Sequence, residues 1–471
     1  MRLSRRQFVV GSAASALAAA GIYELVDRYG ASPTRVASGP PPPEQHLLEG
    51  LRVVRDNGVE VLVPPLHHEL VTAKLRVADE PAELNAARAE LENALHQLDE
   101  RFDSSPAGLG VTVAWGLPYF ERYVPGQAER HLPVDKRASA ARGKIVRVLE
   151  PAIRFPSDPE STRLEENDLA VLLRSDSLDH VASGAKTLFD DHKDLLQVTS
   201  VRKGFVGGGF DGGPGLPKQM ATAAGIDGSD LIPDGAELFF GFTSTQKAGL
   251  GPSKIANVET LGYADLGRST YFVQGTHLHL SHIFEDLAAW YLTLDFQSRI
   301  DTTFRPALSV PASTQTVPQG PGQTQTESEV RRDYARYRQI GHSGSMQPAS
   351  RLEREVVADD GTVYAKGTAV PQRADFNTLD NPFFWTADEG GDEYSATPAA
   401  GLHFVVFNPT SDDFRRTRLA MDGVMPDGTR LAFETGSAGR GFNRLLTTTH
   451  RQNFVVPPRV HRSFPLSELR A

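Results

Sequence analysis

The run GFVGGGFDGGPGLPKQ, residues 204–219, crowds glycines around a single acid, Asp211. Gly207, Gly209 and Gly212 fit the G-x-G-x-x-G spacing, which cradles a phosphate when a strand leads in and a helix starts there. Pro214 and Pro217 interrupt the segment that would begin such a helix, and no parallel βαβ order surrounds it. A Walker loop needs Gly-Lys-Ser/Thr, whereas Lys218 follows proline. The glycines are therefore expected to bring backbone close to a different bound group, with Asp211 as the acid of the loop.

The histidines form three further sets. His277 and His279, in THLHLSH, are two apart on an expected strand, so they share a face and can chelate a metal, with His282 at the strand's end. His67 and His68 are adjacent, hence on opposite faces, and are expected to be an exposed pair. His342 stands in RQIGHSGSMQPASR (338–351), after a short basic helical segment and before a turn-rich run ending at Arg351. The chain has no cysteine, so disulfides and thiolate metal sites are excluded, and histidine and carboxylate remain as metal ligands.

These side chains need positioning elements. ELVTAKLRV, from Glu69, alternates with a period of two and reads as a strand. Pro81 opens a helix with Leu84, Leu91, Leu95, Leu98 and Phe102 on one face, and VTVAWGL (111–117) is the next strand. Then come the strand DLAVLLRSD (168–176), a helix capped by Ser177 and the strand LLQVTSVRKGFV (195–206). Strand–helix–strand, repeated, is the ferredoxin-like order. A similar unit follows, with strands over 269–283 and 401–409, a helical segment over 284–304 and a helix from Thr410. The expected fold is α+β, two ferredoxin-like halves of the dimeric α/β-barrel type with long loop insertions. The halves are placed at 60–206 and 269–471, joined by a glycine-rich region over 207–268. A Pro/Gln/Thr-rich insertion at 306–328 and a ligand-bearing segment at 331–380 belong to the second half.

At 471 residues the chain is long enough for two or three cores, and 49 basic against 59 acidic residues argue against a nucleic-acid partner. Ser4-Arg5-Arg6-Gln7-Phe8 precedes an apolar small-residue run to about Ile22. This reads as a twin-arginine signal or anchor over 1–29, followed by a linker over 30–59. Export through the twin-arginine translocon to the periplasm, cell envelope or exterior is expected. That route carries folded cargo, which raises the expectation of a cofactor.

The order of these features resembles the dye-decolorizing (DyP-type) haem peroxidases, as a divergent exported branch. The resembling features run from about 60 to 460: GGFDG (208–212), a Gly-Thr-x-Leu-x-Leu strand at Gly275–Ile283 with Trp290 after it, His342 to Arg351, Arg373 in PQRADFN, and GLHFVVFNP. The resemblance implies haem b, with His342 as proximal iron ligand and Arg351 on a haem propionate. It implies Asp211 and Arg373 as the distal catalytic pair, hydrogen peroxide as oxidant and an organic reductant. Asp412 or Asp413 would hold the other nitrogen of His342, and Trp290 and Trp385 would be electron-transfer candidates. The family's aromatic after the first loop glycine is missing here, so Asp227 stands beside Asp211 as a second distal acid. Two alternatives stay open: a haem-binding protein without peroxidase turnover, and a non-haem binding protein with metal at His277 and His279.

Overall fold

The computed structural model describes residues 22–27, 29–30, 40–56, 59–207, 215–241, 254–255, 263–266, 271–308, 325–357, 361–381, 398–433 and 441–470. Asp211, Trp385, the twin-arginine motif and most of the 306–328 insertion lie outside the described residues. Among the described residues no helix is long and apolar enough to cross a membrane.

The first half is a ferredoxin-like sheet of β1 (His67–Leu75), β2 (Gly110–Gly116), β3 (Leu169–Ser175) and β4 (Leu196–Phe205), in the order β4-β1-β3-β2. Helices α1 (Pro81–Arg101) and α2 (Leu178–Ala185) cover it. Proline in the first turn opens α1 without losing a helical hydrogen bond, and Leu84, Leu91, Leu95 and Leu98 bury one face. Ser177 caps α2 by accepting from the His180 amide at 3.3 Å.

The second half repeats the plan with β5 (Thr276–Glu285), β6 (Phe376–Thr378), β7 (Gly401–Asn408) and β8 (Leu446–Val456), in the order β8-β5-β7-β6. Its helices are α3 (Phe296–Thr303), α4 (Glu327–Tyr337), α5 (His342–Met346) and α6 (Ser411–Met421). The edges of one sheet pair with those of the other, β4 with β6 through Phe205 and Asn377, and β2 with β8 through Gly116 and Phe454. The result is a closed barrel with no free sheet edge in this ring.

Alternation along each strand sorts side chains into two regions. Leu70, Leu172, Leu280, Val405, Phe407 and Phe454 fill the barrel interior. Val71, Val113, Trp115, Val171 and Leu173 point outward onto α1 and α2. Most strands are therefore buried on both faces, which corrects one expectation. His67 and His68 are 1% and 2% exposed rather than a surface pair. His67 Nε2 meets Asp27 Oδ1 at 2.7 Å, and His68 stacks on Phe376.

Strand β5 starts later than the pattern predicts. Residues 271–274 form a turn, with Gln274 at φ +65°, although Tyr271 and Phe272 are as buried as strand residues. The helical segment expected over 284–304 is broken at Leu294, where Asp295 caps α3 by accepting from the Ser298 amide at 2.7 Å. Helix α4 starts within the expected 306–328 insertion, because Thr326 and Glu329 form a reciprocal capping box.

Candidate functional site

A cavity of about 180 Å³ lies on the outer face of the second half's sheet. Residues 281, 283 and 285 of β5 share that face, so Ser281, Ile283 and Glu285 line it with Phe404 of β7 and Arg451 of β8. The opposite side is built from His342 and Met346 of α5, Arg418 of α6, and Phe442. Helix α5 packs chiefly on α6, α3 and α4 rather than on the sheet, leaving the space between.

Two glycines let α5 sit where it does. The Gly344 amide donates to the Phe304 carbonyl at 3.0 Å, and a Cβ at Gly341 would overlap that same carbonyl. Phe304 ends α3, and the next residue, Arg305, grips Asp333 of α4 through Nε and Nη2 at 3.0 and 2.9 Å. The Gly-His-Ser-Gly run is thus a close fit that aims one imidazole. Gly341→Ala is expected to cost about 1–3 kcal/mol, the range for overpacking, and to displace His342. A denaturant melt together with ligand titration checks both effects.

His342 is half-buried, with its ring 4.5 Å from that of Phe442, and its Nδ1 is buried with no hydrogen-bond partner. Burial, reinforced by the nearby Arg418 charge, lowers its pKa to about 3, so the ring is neutral at physiological pH and keeps a lone pair for a metal. The carboxylates expected to hold its other nitrogen are engaged elsewhere. Asp412 accepts from Arg142 at 2.9 Å and Asp413 from Arg137 at 2.5 Å. Phe442 leads on to Trp290, at a ring separation of 5.5 Å, whose indole is held by the Phe240 carbonyl at 3.0 Å.

Arg373 lines the same cavity, buried rather than on the surface. Its guanidinium forms a two-pronged pair with Asp375, with Nε to Oδ1 at 2.7 Å, and lies over the Phe404 ring. Arg351 also lines it; its Nη1 donates to the Gly367 carbonyl at 3.2 Å, and burial lowers its pKa to about 10, so it stays charged. The structure therefore brings His342, Arg351 and Arg373 together. Asp227 is exposed, on the turn after the helix Leu216–Ala223, and does not line the cavity.

The expected metal pair does not open to a ligand. His277 Nε2 meets Ser411 Oγ at 3.0 Å, and both nitrogens of His279 are taken, by Asn453 and Ser281 at 2.7 Å each. His282 points to the opposite face, into the barrel, where it meets His403 and His450 in register. Among the described residues no group of three or more His, Asp or Glu can hold a metal ion.

Four charged lining residues were not singled out from the sequence: Glu285, Asp158, Arg418 and Arg451. Glu285 is 6% exposed with Oε2 unpartnered. Burial, with repulsion from Asp375 added, pushes its pKa up to about 8, so it is largely a neutral acid at pH 7. The strand THLHLSHIFE mixes polar and apolar residues on both faces, so nothing in its pattern marked Glu285 or said which face opens onto a cavity.

Fold and site together define a barrel of two ferredoxin-like halves with a histidine-bearing, arginine-rimmed cavity outside the second sheet. The chain belongs to a family of unknown function (DUF7405), whose model matches residues 65–458. No curated protein sequence matches it. Similar solved structures include a DyP-type peroxidase from Cellulomonas bogoriensis, 17% identical, covering 89% of this chain and 96% of that one, with a TM-score of 0.48. A dye-decolorizing peroxidase from Bacteroides thetaiotaomicron is 12% identical over 88% and 98%, with a TM-score of 0.47. A Rhodococcus jostii DypB variant in complex with heme is 12% identical over 85% and 95%, with a TM-score of 0.46.

Proposed function

We propose that the cavity holds haem b and that the protein is an exported haem-dependent peroxidase, using hydrogen peroxide to oxidise a bulky organic donor. The observation that carries this is the convergence on one cavity of a neutral, half-buried imidazole, His342, and a buried arginine, Arg373. The residues present fit haem. The walls between the polar groups are apolar, from Ile283, Leu402, Phe404, Met346 and Phe442, and the His342 ring has a nitrogen without a partner.

Bound haem supplies the redox chemistry of peroxide cleavage. His342 offers the neutral imidazole that ligates iron. Arg373, fixed by Asp375, places a permanent cation where charge develops on a departing oxygen. Glu285, largely neutral at pH 7, keeps a carboxyl proton at the cavity wall that would be available to an oxygen of a bound substrate. Asp211 remains in the proposal as the distal proton acceptor of the glycine-rich loop, and Arg351 as a partner for a propionate. Arg5 and Arg6 ahead of the apolar run support export by the twin-arginine route.

A second reading, haem binding without turnover, is favoured by the Asp375 clamp, which neutralises much of the Arg373 charge. The two separate in one experiment. The purified protein is expected to show a Soret band and peroxide-dependent dye oxidation. Arg373→Leu is expected to lose roughly 10²–10³ in rate while keeping the band, the range for removing one charge-stabilising donor. A Soret band with no dye oxidation in the wild type selects the second reading, and no band at all defeats both.

A further inference from the structure

The cavity holds a cation that neither His342 nor the Arg373–Asp375 pair accounts for. Arg451, on β8, is 1% exposed, and the register sets it beside Ser281 and, one strand further, Phe404. Its Nη2 donates to Asp158 Oδ1 at 2.8 Å, while Nε and Nη1 are buried without a partner. Arg418 shares that carboxylate oxygen at 3.3 Å and spends its other contacts on Ser157 at 2.7 Å and Asp422 at 2.9 Å. Asp158 cannot turn further toward Arg451, because its Oδ2 accepts from the Phe155 amide at 2.7 Å. Both guanidiniums lie over the Phe155 ring, Arg451 at 4.6 Å and Arg418 at 5.1 Å, which fixes their planes.

A buried donor left unmatched costs about 1–3 kcal/mol, more when charged, so native proteins seldom carry one without an acceptor to meet it. Burial lowers the Arg451 pKa to about 10, and it stays charged at neutral pH. Nη2, the nitrogen common to both forks of the guanidinium, is held by Asp158, so the free Nε–H and Nη1–H lie on different edges and each can donate one charge-assisted hydrogen bond to a carboxylate oxygen. The surrounding walls are apolar, so the ligand that fits is a large apolar body with a carboxylate on its edge. We infer that Arg451 is a carboxylate anchor for the occupant of this cavity, distinct from Arg351, with Asp158 and Phe155 as its positioning residues. The inference deepens the haem reading, in which the carboxylate is a propionate, but the chemistry holds equally for a bulky aromatic acid.

Binding to the full-length apoprotein tests it without any turnover. The probes are haem, metal-free protoporphyrin, the dimethyl esters of both, and 1-pyrenebutyrate with its methyl ester. The free acids are expected to bind roughly 10–100-fold tighter than their esters, the range for a charged hydrogen bond. Arg451→Gln is expected to remove most of that preference and Arg451→Lys to restore part of it, since lysine keeps the pair with Asp158. Circular dichroism melts identify any variant that fails to fold, and the lysine variant then carries the test. Equal affinity for acid and ester in the wild type, across all probes, overturns the anchor; so does full preference in a folded Arg451→Gln. Failure of the haem reading looks different. The porphyrins would then bind no better with iron than without it, or not at all, while pyrenebutyrate keeps its Arg451-dependent preference.

Discussion

His342→Ala, reconstituted with haem, is expected to lose the Soret signature of histidine ligation and to weaken haem binding by more than roughly 100-fold, since losing even an outer-shell partner costs 10–100-fold. Peroxide-dependent oxidation should fall with it. The reason is local: α5 offers the cavity one imidazole, and burial with Arg418 keeps it unprotonated far below neutral pH. Loss of fold is not expected to accompany this, because the Nδ1 of His342 makes no hydrogen bond whose loss would strand a partner. The thermal midpoint of the apoprotein should therefore stay within a few degrees. Free imidazole added to His342→Gly is expected to restore part of the signature by occupying the vacated place. An unchanged spectrum and affinity in His342→Ala would remove this residue from the iron and leave the cavity without its ligand.

Much of the first half was legible because its signals are local. Periodicity placed β1 to β4 to within a residue or two at most ends, and Pro81 and Ser177 marked helix starts that the backbone respects. The second half was harder where local pattern and tertiary role diverge. Tyr271 and Phe272 alternate and are buried like strand residues, yet they belong to a turn that Gln274 closes with a positive φ. Of the site, His342 and Arg373 could be read from short runs. Arg451 and Asp158 could not, because 293 residues separate them and only barrel closure joins them. The same closure explains the error at His67 and His68. An isolated sheet leaves one face to solvent, whereas a closed one covered by helices buries both.

Closure also assembles a feature that the proposed chemistry does not use, and it carries the second large expectation. His403 of β7, His282 of β5 and His450 of β8 are direct partners across adjacent strands and point into the barrel. The rings of His282 and His403 are 4.2 Å apart, and those of His282 and His450 6.4 Å. Around them stand the Arg202–Glu165 pair, joined at 2.5 Å, Asp380 at 3.8 Å from His403 Nε2, and Arg163, whose charge also acts on His450. Burial lowers the pKa of His403 and of His450 to about 4, and burial with the His403 charge holds His282 well below its ordinary value. In the unfolded chain each titrates near 6.5. Between about pH 6.5 and 4 the unfolded state therefore binds more protons, so the row's contribution is full above pH 6.5 and is lost as pH falls. For one histidine moved from 6.5 to 4, the loss by pH 5 is about 2 kcal/mol. The three are coupled, so their losses do not simply add. His450→Gln, which keeps a polar side chain but cannot titrate, is expected to lose about 2 kcal/mol less between pH 8 and pH 5 than the wild type. Urea melts at the two pH values measure that difference, and parallel losses in both proteins would show that the barrel row does not set the acid limit. The row lies on the opposite face of the sheet from the cavity, so the substitution should leave haem affinity at pH 8 unchanged, which separates the strength of the barrel from the chemistry outside it.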